Sequence, residues 1–147
     1  MEIFQGLMDR QVLQRNGKNL CETKITGRCM EPGHLEIKVT RNKRSLAGFN
    51  WKALARVRGG EFSCMLKGIP AGGPYQIALR LVSQDKKKLL EQTTFKEVLV
   101  GDVWILAGQS NMEGLGYLKD AAKPDPRVRA FTMDDRWRTA KDPIHKL

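Results

Sequence analysis

The sequence predicts a mainly β fold, with an N-terminal antiparallel β-sandwich followed by the first β-α-β portion of an α/β layer. Three observations carry that reading. Apolar residues alternate with polar ones through most of the first hundred positions, Gly- and Pro-rich turn signals recur between the alternating runs, and near residue 98 the alternation gives way to an almost unbroken apolar run. Residues 1–97 are therefore assigned to the sandwich and residues 98–147 to the start of a second domain.

In the first domain, Leu35, Ile37 and Val39 face one way and Glu36, Lys38 and Thr40 the other, the two-residue period of a half-buried strand. Trp51, Ala53, Ala55 and Val57 repeat it. Gly59-Gly60 separates that run from Phe62, Cys64 and Leu66, which reads as a hairpin. Tyr75, Ile77, Leu79 and Leu81 form a further strand. Pro32-Gly33, the stretch from Ile69 to Pro74, and Gln84-Asp85 supply turns at sandwich-like spacing. The expected core is Leu35, Ile37, Val39, Trp51, Val57, Tyr75, Ile77 and Leu79. His34 falls in the Pro-Gly-His turn with no partner at triad or metal-ligand spacing.

Composition narrows the function. The hydrophobic share of 41% is that of a folding chain, not a disordered one. No run approaches the ~18 apolar residues of a membrane span, and the start lacks the pattern of a signal peptide, so the sequence leaves the compartment open. Three cysteines, Cys21, Cys29 and Cys64, with no C-x-x-C pair, read as buried free thiols, a Cys21–Cys29 bridge being the alternative. The formal charge is +10. Residues 1–100 carry 18 basic and nine acidic side chains, yet only Lys86-Lys87-Lys88 forms a run and no aromatic ladder accompanies it. Solvated strand faces are expected, not a nucleic-acid site. No cofactor motif is present.

The chemistry concentrates after Val98. The run from Val98 to Ala107, expected to be a strand buried on both faces, ends in Gly108-Gln109-Ser110-Asn111-Met112-Glu113-Gly114. A serine at the carboxyl end of a buried strand and the start of a helix stands where ligands bind in α/β sheets, with helix amides beside its hydroxyl. Ser110 and Glu113 also fit the S-x-x-E capping box, and the two roles are compatible. Gly108 permits a tight turn. Met112 replaces the second glycine of G-x-S-x-G, and the Gly-Lys-Ser/Thr ending of a phosphate loop is missing. Residues 127–132 read as the next strand, with Asp134-Asp135 a solvated turn and only a weak metal signal.

The block from Gly101 to Glu113 resembles the first block of the sialate O-acetylesterase-like branch of the SGNH hydrolases, which includes carbohydrate acetylesterases. The segment from Ile3 to Arg15 is similar to the opening of that family's N-terminal β domain. The resemblance implies a serine esterase that removes acetyl groups from sugars, without a cofactor, through Ser110 as nucleophile and its backbone N–H as an oxyanion donor. Gln109, Asn111 and Glu113 match motif positions, in turn support or substrate contact. The family's catalytic Asp-x-x-His block lies further along than this chain extends, which implies that these 147 residues hold the nucleophile without an assured base. Asp142-Pro143-Ile144-His145 has the right spacing, but it resembles an early Pro-Leu-His-like segment that follows a Trp-containing strand, so His145 is both a base candidate and a structural one. The alternative function is a non-catalytic basic module that binds acidic glycans; the expected burial of Trp51 and Tyr75 argues against it.

Overall fold

The computed structural model describes residues 1–108, 119 and 122–141, and within them the chain is mainly β with no helix. Seven strands form one curled mixed sheet: β1 (Glu2–Gln5), β2 (Val12–Gln14), β3 (Leu20–Arg41), β4 (Arg44–Ser45), β5 (Lys52–Pro70), β6 (Gly72–Val82) and β7 (Leu89–Gly101). Strands β8 (Arg129–Thr132) and β9 (Arg136–Thr139) make a separate hairpin.

The sheet is built around β3, whose odd-numbered residues Cys21, Ile25, Cys29, Leu35, Ile37 and Val39 are all buried across 22 residues. That constant parity gives one long strand where the sequence reading has a Pro32-Gly33 turn. The turn signal is instead absorbed as an irregularity between Cys29 and Pro32. Opposite it, Gly59 and Gly60 adopt φ of 88° and 77°, the left-handed region that glycine enters without a Cβ clash. They bend β5 without ending it. The expected Gly59-Gly60 hairpin is thus corrected: both halves of β5 pair with β3, Val57 with Gly33 and Cys64 with Ile25. An extra residue in one strand bends a ribbon and raises its twist.

The bend makes one sheet do the work of two. The second half of β3 pairs with β6, β6 with β7, and β7 with β2, while an Arg15–Cys21 bridge brings the end of β2 back to the first half of β3. The architecture is a half-barrel rather than the expected two-sheet sandwich. It is also mixed, because β2 runs parallel to β7. The segment before β2 is fixed alongside β7 by Arg10 N–H to Lys96 O (2.8 Å) and Leu99 N–H to Gln11 O (2.9 Å).

Leu35, Ile37, Val39, Ile77 and Leu79 are 0% exposed and Tyr75 and Val57 are buried, as the alternation predicts. Each fully buried aliphatic side chain contributes about 1.5–3 kcal/mol. Trp51 departs from the expected core. It precedes β5 with a φ of 57° and lies half-buried on the outer face, where the Arg80 guanidinium stands 4.0 Å from its ring centroid. His34 lies within β3, paired with Arg56 and Val82, and not in a turn. The three cysteines are free and buried.

Candidate active site

Val98, Leu99 and Val100 belong to the half-barrel core as the end of β7, so the apolar run beginning at Val98 is divided between two structural roles. Beyond Gly101 the chain leaves the sheet. Residues 103–107, expected to form a buried strand, pair with no other strand among the described residues and have no regular secondary structure. Val103, Trp104, Ile105 and Leu106 are 41%, 81%, 90% and 67% exposed. A strand of this composition requires neighbours on both edges and apolar layers on both faces, and none of these surrounds it among the described residues. Gly108 follows, exposed.

The departure point is held firmly. Arg15 donates from Nε and Nη2 to the two carboxylate oxygens of Asp102, both at 2.9 Å, and its backbone N–H donates to Gly101 O at 2.8 Å. Gln14 Oε1 accepts the Val103 N–H at 2.8 Å. A bidentate guanidinium–carboxylate pair fixes orientation as well as distance. Hydrogen bonding from Arg15 holds the Asp102 carboxyl below its ordinary range and raises the Arg15 guanidinium. The first residues of the motif block are therefore anchored to the end of β2, 87 positions earlier in sequence. The sequence reading gave Arg15 and Gln14 no role. Their only signal was their place at the end of the family-like opening segment.

Gln109, Ser110, Asn111, Glu113, Asp142 and His145 lie outside the described residues, as does the helix expected near Asn111. The intervening hairpin is described. Strand β8 covers residues 129–132 of the strand expected at 127–132 but pairs with β9 in a separate two-stranded hairpin and not as the next strand of an α/β sheet, and Asp134-Asp135 lies in the turn, with Asp135 at φ 56°. Asp134 accepts hydrogen bonds from Arg138 and Thr132, which hold its carboxyl down at about 2. Asp125 is likewise held at about 2, by Arg127. Asp134 is engaged by Arg138 of the hairpin and Asp125 by Arg127 just before it, and among the described residues no three His, Cys, Asp or Glu side chains are grouped to hold a metal ion.

An open groove of about 520 Å³ lies between the half-barrel and this hairpin, lined by Met8, Asp9, Arg10, Lys96, Glu97, Arg136 and Trp137. Arg10 and Glu97, at φ 63° and 57°, pair at 2.7 Å across a bulge in β7, and Asp9 accepts the Lys96 N–H at 2.7 Å. Among the described residues its lining is charged and apolar, with Arg10, Lys96 and Arg136 facing Asp9 and Glu97.

With that geometry in place, the comparison with known families is specific. Residues 100–147 match the family of carbohydrate esterases, sialic acid-specific acetylesterases. The match is partial, covers about a third of the chain, and begins at Val100, the penultimate residue of β7. Comparison with curated proteins gives no match. The matched segment thus begins where the half-barrel's last strand ends and takes in the Asp102 anchor, the Gly108–Glu113 block and the β8–β9 hairpin. It agrees with the family that the block resembles.

Proposed function

We propose that the segment following β7 is the opening part of a serine carbohydrate O-acetylesterase domain appended to the half-barrel, whose last strand runs to Gly101 and so moves the boundary from the 97/98 expected, and that Ser110 is its nucleophile. The carbohydrate esterase match over residues 100–147, spanning Gly108-Gln109-Ser110-Asn111, is the observation that carries this reading. In the proposed reaction a histidine base takes the Ser110 hydroxyl proton as Oγ bonds to the acetyl carbonyl carbon. The acyl C–O bond to the sugar then breaks, and the sugar oxygen takes that proton. Water, deprotonated by the same base, releases acetate and restores Ser110. The Ser110 N–H would face the developing oxyanion. Gly108 gives room for the turn, and Gln109, Asn111 and Glu113 hold it or contact the sugar.

Asp142 and His145 have the spacing of an acid–base pair, whereas the family resemblance favours a base from a later block. The Arg15–Asp102 anchor supports the domain reading, because it fixes where the motif segment leaves the half-barrel. The test uses the native gene product that contains this chain. Ser110 should react with a fluorophosphonate probe, and Ser110→Ala should abolish both labelling and hydrolysis of acetylated sugars; retained hydrolysis would overturn the assignment. The 147 residues alone should hydrolyse acetyl esters weakly or not at all, since residues 103–107 lack strand neighbours among the described residues. Robust hydrolysis by them that is lost in His145→Ala would instead make His145 the base.

A further inference from the structure

We propose that the outer face of the second half of β3, with the adjoining parts of β5 and β6, docks an acidic polysaccharide, with Trp51 at its centre. The inference is independent of the chemistry assigned to Ser110. It starts from a charge asymmetry between the two halves of the bent β3–β5 ribbon. On the outer face of the first half, two of the three cations of the paired rows stand in ion pairs, Glu22 with Lys67 and Arg28 with Glu61 at 3.0 Å, while Lys24 stands opposite Met65. On the second half, His34 stands opposite Arg56, and Lys38 lies two places beyond Glu36. Glu36 is already engaged, its carboxylate 2.7 Å from Arg80 Nη2. Among the described residues neither Arg56 nor Lys38 stands in an ion pair, and a low-dielectric sheet behind them strengthens the field outside.

The aromatic component is fixed in advance. The Trp51 ring is held by Arg80 at 4.0 Å and by Lys38 Nζ at 5.8 Å, and Arg80 is held in turn by Glu36, whose side chain is 9% exposed. Trp51 nevertheless stays partly exposed, from a backbone conformation that L residues rarely adopt. Strain of this kind persists where the surroundings over-determine it, and it clusters at binding sites. Beside this group, Ala78 pairs with Lys38 and Ala53 with Glu36, so the cross-strand neighbours of these charged residues are small. A ring with fixed cations beside it suits a sugar chain, which offers apolar C–H faces to the ring and carboxylates or sulfates to the cations. Little ordering of the protein is needed on binding.

Cation spacing favours a glycan over nucleic acid. Arg56, beside His34, and Lys38 are separated by four residues along β3, or about 13 Å at ~3.3 Å per residue. Duplex DNA presents a charge every ~1.7 Å, and single strands need successive stacking rings, whereas this face has one. Sparse cations around one ring match a polymer with about one charge per sugar unit or fewer.

The experiment measures binding of the intact 147-residue chain, at about 150 mM salt, to κ-carrageenan, polygalacturonate, neutral dextran, duplex DNA and phosphatidylserine vesicles. κ-Carrageenan, which carries sulfate alone, or polygalacturonate, which carries carboxylate alone, should bind, identifying the preferred group, and dextran should not. Lys38→Glu combined with Arg56→Glu should weaken that binding by about tenfold or more, equivalent to ~1.4 kcal/mol. Lys24→Glu combined with Lys67→Glu, a reversal of the same size on the outer face of the first half, should change it less than about twofold. Trp51→Phe, which keeps a ring, should weaken it less than Trp51→Ala, with folding of both variants checked by circular dichroism. Equal losses from the two double variants would reduce the effect to diffuse net charge and overturn the proposal. DNA or vesicle binding as tight as glycan binding would overturn it too, as would no binding to either acidic glycan.

Discussion

Gly33→Ala tests the bent-ribbon architecture by the sign of its effect. Gly33 does not occupy the left-handed region, so an alanine is compatible with its backbone. In open space the substitution would stabilise the fold by about 0.4–1 kcal/mol, by restricting the unfolded chain. Within β3, however, the new Cβ would lie 2.2 Å from the carbonyl oxygen of Val82 and 3.0 Å from Leu81 Cδ1. Relieving the first contact to ~3.0 Å demands a separation of about 0.8 Å between β3 and β6, next to the His34–Val82 pair. A close-packed core resists that, and overpacking of this order costs about 1–3 kcal/mol. At ~4–8 °C per kcal/mol, Tm should fall by upward of about 4 °C. Urea unfolding of the 147-residue chain followed by far-UV circular dichroism, with a thermal melt, gives both quantities. Gly17→Ala is the comparator, since nothing lies within 4 Å of its Cβ position, and it should be neutral or slightly stabilising. A Gly33→Ala variant as stable as the parent or more so would put Pro32-Gly33 back in a solvent turn and refute the continuous β3.

Three further outcomes follow from the same structure. Ile37→Ala, at a 0% exposed position between β5 and β6, should lower the urea-derived stability by about 2–5 kcal/mol, and a loss under ~1 kcal/mol would contradict its place in the core. Burial raises all three thiols above their ordinary range, so Ellman's reagent should label none of Cys21, Cys29 and Cys64 quickly in the folded chain and all three in denaturant; fast native labelling would show an exposed thiol. The Asp102 carboxyl is depressed by hydrogen bonding from Arg15, so the anchor is intact above the ordinary carboxylate range and is lost as pH falls through the depressed value, below 3.8. Arg15→Ala should produce the same loosening at neutral pH, read as faster hydrogen exchange at Val103 with unchanged exchange at Ile37, and unaltered Val103 exchange would refute the anchor.

The parts of the fold legible in sequence are those set by local period. Parity alone identified Leu35, Ile37, Val39, Ile77 and Leu79 as core, because a side chain's face in a strand depends only on its neighbours' spacing. Turn signals were less reliable. Gly59-Gly60 and Pro32-Gly33 carry the same residue types whether the chain reverses or merely bends, and what decides is the partner strand opposite, which no local window contains. Because each irregularity faces the other, the ribbon bends at both and remains continuous. The parallel β2–β7 pairing was hidden for a related reason: residues 12–14 are too few to show a period, and their partners are 99–101. Trp51 was misplaced because its spacing to Ala53 and Val57 continued an alternation that its positive φ interrupts.

The same logic separates what was legible at the candidate site from what was not. Thirteen consecutive residues from Gly101 to Glu113 carried the esterase resemblance, and the family match covers them. A motif states which chemistry is encoded, whereas its geometry depends on the layers packed around it. Val98 to Ala107 illustrates the difference, since one apolar run yields buried strand up to Val100 and exposed chain from Val103. The first part has β6 and β2 on either side; the second has no paired strand among the described residues. Hydrophobicity supplied the capacity to be a buried strand in both places, and only hydrogen-bonding neighbours realised it. The Arg15–Asp102 pair stands at that division, where the half-barrel's last strand hands the chain to the segment that matches the carbohydrate esterase family. Its role is therefore to fix the direction of departure, a positional task that composition and spacing do not encode.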